Sequence, residues 1–198
     1  MLILASQSSA RKALLAGTGL RFETSPAQID ERALEAEVLG KGGDAVGVAR
    51  HLAEAKAIAV SMEQQGAIVV GADQVLAFDG ELLHKPEDLS VAAAQLDRLA
   101  GDTHFLHAGV ALARAGHLLW STTETASLTM RRFDAVERDA VLALEGPGVL
   151  GSVGGYRLEG PSIRLFERIE GDYFTILGLP LLPLLAALRQ HAPETLSQ

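Results

Sequence analysis

The sequence contains no cysteine among its 198 residues. Disulfide bonds, thiolate metal sites and cysteine nucleophiles are therefore excluded. Aromatic residues make up only 5% of the chain, and the formal net charge is -8. A broad nucleic-acid-binding face is therefore not expected, because such a face is basic and often interleaved with aromatic side chains. A local basic pocket remains compatible with this charge.

Long uninterrupted hydrophobic runs are also missing. The most apolar stretch, 176–188, contains Gly178, Pro180 and Pro183 and is too short to span a bilayer. The first residues, Met1–Ala5, lack the basic lead of a signal peptide. We therefore expect a cytoplasmic protein with no membrane partner. The 198 residues suffice for one large domain or two small lobes with a proper core, and the apolar content of 48% is typical of a globular protein. We expect a single two-lobed domain over residues 1–198.

The stretch Ala67–Leu76 is apolar and β-branched, with a single carboxylate, Asp73. A continuous apolar run of this length predicts a strand that is buried on both faces. Gly71 and Ala72 remove side-chain bulk just before Asp73, which would let another group approach the backbone. Because an unpaired buried carboxylate is costly, we predict that Asp73 lies at a strand end and faces a polar cleft. The alternative is a structural Asp that caps a turn.

The N-terminal segment combines a short apolar strand, Leu2–Ala5, with a serine-rich loop and a helix that ends near Gly17. Ser8 or Ser9 is the predicted N-cap. The free N–H groups of a helix N-terminus, with the hydroxyls of the loop and Arg11, could bind a phosphate. The alternative is a simple serine cap followed by surface basic residues.

Two lysines stand in unusual surroundings. Lys56 lies among alanines within a long helix that is predicted over 44–65, so it could lie close to the floor of a cleft. The alternative for Lys56 is a solvated pair with Glu54. Lys85 precedes Pro86, which holds the lysine backbone in an extended geometry and aims its side chain.

Strands alternate with helices along the first part of the chain and then pair as hairpins. The Asp-Gly sequence within Phe78–Glu81 is a strong hairpin signal. This order predicts an α/β protein with a mixed sheet. The other predicted strands are Arg21–Ser25, His104–Ala113, His117–Thr129, Ile163–Ile169 and Tyr173–Leu177; the other predicted helices begin at Asp30, Ser90, Asp134 and Leu179.

The polar residues singled out along the chain share one chemistry. Serine hydroxyls and cationic side chains are suited to phosphates, and the carboxylates of Glu31 and Asp73 could hold a hard cation through oxygen ligands. The histidines lack helical metal-ligand spacing, and the glycine-rich stretch 146–155 lacks the spacing and lysine of a P-loop. The combination of hydroxyls, cations and carboxylates is what a polyphosphate-cleaving site requires.

Eight motifs follow one another in a recognisable order. They are Leu4–Lys12, Asp30-Glu31, Ala53–Ala57, Gly71–Val75, Lys85-Pro86, Gly101–His104, Gly154–Tyr156 and Gly171–Leu181. With them, residues 2–189 resemble the Maf, or septum-formation-like, family of nucleotide pyrophosphatases. Ser9 stands where the family has proline, and Ala10 where it has a large residue, which could open the pocket and broaden the substrate range.

The resemblance implies hydrolysis of a nucleoside triphosphate between the α- and β-phosphates. It also implies a Maf and inosine-triphosphatase-like fold, in which a mixed, curved sheet flanked by helices forms two lobes around a cleft. A homodimer is a further implication. The implied cofactor is a divalent cation, Mg²⁺ or Mn²⁺, held by Glu31 and Asp73.

The resemblance also implies roles for the matched residues. Asp73 would accept the proton of the attacking water. Lys56, Lys85 and Arg11 would neutralise the triphosphate, and the loop from Ser6 to Ser8 would donate hydrogen bonds. Together with Ala10, these are the predicted catalytic and phosphate-binding residues.

Base preference is expected to depend on Gln74 and Glu159. This pair resembles the branch of the family that cleaves 7-methyl-GTP, whereas Thr and Gln at these positions resemble the dTTP/UTP branch. A carboxylate at 159 could meet the positive charge of N7-methylguanine. The alternative is that Glu159 merely pairs with Arg157 or Arg164. For the whole chain, the alternatives are a dTTP/UTP-preferring enzyme and a nucleotide-binding regulator of cell division with little turnover.

Overall fold

A computed structural model of the chain describes residues 1–196. The strands are β1 (Leu2–Ala5), β2 (Glu23–Thr24), β3 (Ile68–Phe78), β4 (Glu81–Leu83), β5 (Thr103–Arg114), β6 (His117–Met130) and β7 (Phe166–Glu170). The α-helices are α1 (Ser9–Ala16), α2 (Glu31–Gly40), α3 (Ala45–Glu63), α4 (Leu89–Leu99), α5 (Ala135–Glu145), α6 (Tyr173–Ile176) and α7 (Leu181–His191). Short 3₁₀ turns lie at 146–151, 153–155, 161–165 and 193–195.

The seven strands form one sheet in the order β2-β1-β3-β5-β6-β7, with β4 paired to β3. β1 runs parallel to both β2 and β3, while the pairs β3–β4 and β6–β7 are antiparallel. The predicted α/β class with a mixed sheet flanked by helices is therefore confirmed. Within the described residues 1–196, no helix combines the length and the apolar character that a bilayer span requires.

Two tight turns have the backbone that a two-residue hairpin demands. Asp79 and Gly80 have φ angles of 50° and 77°, and Ala115 and Gly116 have φ angles of 49° and 80°. Two successive residues at positive φ define the type I′ turn, whose twist matches that of the flanking strands. The predicted Asp-Gly hairpin is confirmed.

The helix starts follow local capping chemistry. The side chains of Ser8, Asp30, Asp44 and Asp134 each accept a hydrogen bond from the backbone N–H three residues later. The N-cap of helix α4 lies two residues earlier than the predicted Ser90, because the side chain of Asp88 accepts a hydrogen bond from the N–H of Val91.

Three predicted strands differ from the structure. Tyr173–Ile176 is a helix, because Asp172 accepts hydrogen bonds from the backbone and hydroxyl of Thr175 and so starts a turn. Strand β7 begins only at Phe166, since Pro161 opens a 3₁₀ turn that extends to Leu165. The strand predicted over 21–25 is reduced to the two residues of β2.

The position of Asp73 also differs from the prediction. Asp73 lies inside β3, which continues to Phe78 and ends at the Asp79-Gly80 turn. The strand is longer than its apolar run because its last residues pair with β4. Asp73 is therefore neither a strand-end residue nor a turn cap.

The chain forms two compact units. Among the described residues, the first comprises 1–74, 107–124 and 172–196, and the second comprises 75–106 and 125–171. Within the first unit, β1 alternates its side chains between two apolar clusters. Leu2 and Leu4 pack in a cluster with α7, whereas Ile3 packs in a cluster with Val60 of α3. Helices therefore cover both faces of this part of the sheet.

Helix α3 lies unusually close to two strands. A Cβ atom built on Gly71 of β3 would lie 2.6 Å from the backbone N of Ala57, and one built on Gly109 of β5 would lie 2.9 Å from the backbone N of Arg50. Real Cβ contacts are essentially never shorter than 3.0 Å. Both glycines are therefore required for the helix to pack at this distance.

The second unit has its own buried residues. Leu96 of α4, Leu128 of β6 and Val141 of α5 are fully buried. The same unit contains a buried polar pair, in which Nε2 of His104 and the hydroxyl of Tyr156 are 2.7 Å apart. Burial lowers the pKa of His104 to about 4 and raises the pKa of Tyr156. Both side chains are therefore neutral at neutral pH.

Candidate active site

Lys56 lies between two carboxylates in the first unit. Its Nζ atom is 2.5 Å from Oδ1 of Asp73 and 2.8 Å from Oε1 of Glu31. Lys56 and Asp73 are buried, whereas Glu31 is exposed. Two buried charges of opposite sign offset much of each other's desolvation cost only when they are in contact. The structure thus brings three predicted site residues together around one ammonium group.

The backbone explains why these residues meet. The missing side chain of Gly71 lets α3 approach β3, and Asp73 follows two residues later on the same strand. Lys56 is the neighbour of Ala57, the α3 residue that contacts Gly71. Glu31 is the first residue of α2, which packs against α3 and starts at the Asp30 cap.

The solvated pair of Lys56 with Glu54 is wrong. Glu54 accepts a hydrogen bond of 2.6 Å from the hydroxyl of Ser121 and lies 4.0 Å from Nε of Arg50. The two side chains lie two residues apart in α3, so they point in different directions. Lys56 is consequently directed inward, as its alanine neighbours suggested.

Arg11 connects three segments of the first unit. Its Nε donates to the backbone carbonyl of Gly178 at 2.8 Å, and its Nη1 donates to the carbonyl of Ala72 at 3.0 Å and to Oγ of Ser6 at 3.3 Å. Burial lowers the pKa of Arg11, while the negative charges of Asp73 and Glu31 raise it. A guanidinium stays cationic in proteins, so Arg11 brings a fixed positive charge to these carboxylates. The interpretation of Arg11 as a surface base is therefore wrong.

The serine side chains of the N-terminal loop accept hydrogen bonds from backbone N–H groups nearby in the chain. Oγ of Ser8 accepts from the N–H of Arg11 at 3.4 Å, and Oγ of Ser6 accepts from the N–H of Ser8 at 3.2 Å. Ser6 is buried and Ser8 is half-buried. Ala10 is half-buried in the first turn of α1. The predicted cap at Ser8 is confirmed, and phosphate binding by this loop stays a prediction.

Gln74 has a structural contact that the sequence reasoning missed. Its Nε2 donates to the backbone carbonyls of Thr175 and Ile176 at 3.0 and 2.9 Å. These two hydrogen bonds therefore hold helix α6 against Gln74, the last β3 residue in the first unit. The late Gly171–Leu181 motif was the only sequence signal for this contact, and it does not say which residue the segment meets.

A model of the family described as Maf-like protein matches residues 1–191. The chain belongs to the Maf-like protein family.

Curated relatives of this Maf-like chain include proteins of two names. A "7-methyl-GTP pyrophosphatase" of Brucella abortus is 50% identical over 190 residues, which cover 96% of each protein. A "Nucleoside triphosphate pyrophosphatase" of Nitrobacter winogradskyi is 51% identical over 191 residues, which cover 96% of this chain and 93% of the relative. A protein of that second name from Granulibacter bethesdensis is 46% identical over 194 residues, or 98% of each protein.

Two predicted residues of this Maf-like chain belong to the second unit. Lys85 is exposed and follows β4. Glu159 is also exposed, and among residues 1–196 it forms neither a hydrogen bond nor an ion pair. The predicted alternative, a pair of Glu159 with Arg157 or Arg164, is wrong, because the guanidinium of Arg157 is bound to Glu145.

The carboxylates of the Maf-like site suit a metal that is shared with a substrate. The carboxylates of Glu31 and Asp73 both contact the ammonium group of Lys56, so they face the same point. Mg²⁺ commonly takes one or two carboxylates and completes its shell with water and substrate phosphates. Among the described residues, no group of three or more His, Cys, Asp or Glu could hold a metal ion. The residues present thus fit a cation that depends on phosphate oxygens.

Proposed function

We propose that this chain hydrolyses a nucleoside triphosphate to the monophosphate and pyrophosphate, with 7-methyl-GTP as the preferred substrate. The observation that carries the reaction is the contact of Lys56 with both Asp73 and Glu31, next to the guanidinium of Arg11. It joins a proton acceptor, cations for phosphate and oxygen ligands for a metal. The names of the relatives support both the reaction and the substrate.

Different residues of the chain have different roles in the proposed reaction. Water adds across the α–β anhydride bond, and Asp73 accepts the proton that the water loses. Lys56, Arg11 and Lys85 neutralise the triphosphate and the leaving pyrophosphate. The hydroxyls of Ser6 and Ser8 donate hydrogen bonds to phosphate oxygens. Mg²⁺ or Mn²⁺, held by Glu31 and Asp73, supplies further positive charge when bound.

The base is read by Glu159 and Gln74. N7-methylguanine carries a positive charge that guanine lacks, so an exposed carboxylate at 159 favours the methylated base. Gln74 contributes through its side-chain oxygen, because its amide nitrogen is bound to the carbonyls of Thr175 and Ile176. Ala10 leaves room beside the phosphate loop. From the family resemblance we also propose that the protein is a cytoplasmic homodimer.

Pyrophosphate release tests this proposal. The panel comprises dTTP, UTP, CTP, GTP and 7-methyl-GTP, each with Mg²⁺ or Mn²⁺. We expect 7-methyl-GTP to give the highest kcat/KM. Preference for dTTP or UTP would contradict the base assignment and leave the reaction intact. No turnover of any triphosphate by folded protein would instead favour a nucleotide-binding regulator.

A pair of matched variants tests the role of Asp73. Asp73→Asn should lower kcat by about 10²- to 10⁴-fold, because the amide cannot accept the proton. Asp79→Asn makes the same change in the exposed β3–β4 turn, where asparagine tolerates positive φ, and should leave kcat unchanged. Near-normal turnover by Asp73→Asn would contradict the assignment of Asp73 as the proton acceptor.

A further inference from the structure

A buried carboxylate holds both ends of the segment that contains Glu159. Oε2 of Glu145 accepts from Nε of Arg157 at 2.7 Å and lies 2.6 Å from its Nη2. Oε1 of Glu145 accepts from the backbone N–H and the hydroxyl of Ser162 at 2.9 and 2.7 Å. The Glu145 side chain is 0% exposed, at the end of α5. One carboxylate therefore ties residue 157 to residue 162.

The turn between these residues is shaped around the same carboxylate. A Cβ atom on Gly160 would lie 2.6 Å from Oε1 of Glu145, and one on Gly148 would lie 3.2 Å from Nη1 of Arg157. Burial raises the pKa of Glu145, but the hydrogen bonds of Ser162 and Arg157 outweigh this effect, so its pKa is lowered. Glu145 is therefore a charged group with all four of these contacts satisfied.

Arg157 is the cation nearest in sequence to Glu159. Because its guanidinium is held by Glu145, it does not neutralise the exposed carboxylate two residues away. A freed arginine, with its long flexible side chain, could reach Glu159 and cancel its charge. The buried pair of Glu145 and Arg157 therefore keeps a positive charge away from the exposed Glu159, although the pair does not contact Glu159.

We propose that Glu145 is a positioning residue for base recognition: it sequesters Arg157 and fixes residues 157–162, so that the carboxylate of Glu159 stays unneutralised and available to a cationic purine base. This inference rests on the proposed function, since it assigns Glu159 to the base. It adds a residue that sets specificity without touching the substrate.

The test compares kcat/KM for 7-methyl-GTP and GTP. Glu145→Gln should lower this ratio roughly fivefold, the value of one exposed charge pair, because Arg157 is released towards Glu159. The loss should lie in KM for 7-methyl-GTP, with kcat nearly unchanged. The double variant Glu145→Gln with Arg157→Met removes both charges and should restore the ratio, because no cation remains to neutralise Glu159.

Two further variants control this experiment. Glu81→Gln removes the carboxylate of an exposed pair with Arg98 in the same unit and should leave the ratio unchanged. Gly160→Ala pushes a methyl group against the Glu145 carboxylate and should also lower the ratio. This variant replaces Glu145→Gln in the test if Glu145→Gln does not fold. Thermal unfolding establishes which variants are folded.

Specific outcomes would overturn the inference. An unchanged ratio in folded Glu145→Gln, or a double variant that stays as poor as the single one, would leave Glu145 with a structural role alone. An unchanged ratio in Glu159→Gln would contradict the base assignment of the proposed function instead. A crystal structure of Glu145→Gln tests the release without any substrate: we expect an Arg157–Glu159 ion pair, and an Arg157 that stays in place refutes the inference.

Discussion

The ammonium group of Lys56 lies 2.5 Å from Oδ1 of Asp73, and both side chains are buried. The lysine comes from α3 and the aspartate from β3, which Gly71 allows to pack closely. Each of these buried charges offsets part of the desolvation cost of the other. The candidate active site is therefore also a determinant of stability in the first unit.

Lys56→Met should weaken both stability and activity. The substitution leaves the buried Asp73 without its cation, which should lower the free energy of unfolding by about 3 kcal/mol. Pyrophosphate release should fall by about 100-fold or more, since a phosphate-neutralising charge is lost. Urea unfolding and a pyrophosphate assay measure the two effects. Lys12→Met, at an exposed position of α1, should change neither, and equal effects of the two variants would contradict the role of Lys56.

Gly71→Ala should separate α3 from β3. The new methyl group would meet the backbone at Ala57, so we expect a loss of about 3 kcal/mol or more in unfolding free energy and reduced turnover. Gly40→Ala is a matched control, because nothing lies within 4 Å of its Cβ position. Chemical denaturation of both variants checks the prediction. A fully stable Gly71→Ala protein would show that the helix shifts at little cost.

Gln74→Leu should destabilise the first unit by about 1–2 kcal/mol. It removes two donors and leaves the carbonyls of Thr175 and Ile176 without this partner. Gln190→Leu, on the exposed side of α7, should have a much smaller effect. Urea titrations compare the two. Unchanged stability of Gln74→Leu would mean that the amide contacts make no net contribution to the free energy of unfolding.

His104 should make stability depend on pH between about 6.5 and 4. Burial lowers its pKa to about 4 in the folded protein, so the unfolded chain takes up the proton first as pH falls. The stabilising contribution is complete above the unfolded value of about 6.5 and declines below it, by roughly 3 kcal/mol at pH 4. Because burial also lowers the pKa of His107, His104→Gln should keep a smaller decline rather than the full one. The exposed His117→Gln should retain it, and denaturation across this pH range distinguishes them.

Local chemistry was predictable because its partners lie within a few residues. Ser8, Asp30 and Asp134 cap their helices, and Asp79-Gly80 makes a type I′ turn, as the residue types require. Where two local signals competed, the prediction failed. Residues 173–176 are apolar enough for a strand, but the Asp172 cap makes them helical.

The sequence by itself determined the family, the α/β class and the set of residues suited to a triphosphate. Composition, turn chemistry and the order of the motifs can all be recognised along the chain without knowledge of its packing. Only the tertiary structure decided which groups are partners. It pairs Lys56 with Asp73 and Glu31 rather than Glu54, and Arg157 with Glu145 rather than Glu159. Such pairs depend on the separation of packed backbones, down to the single missing Cβ of Gly71, and no spacing along the chain specifies that distance.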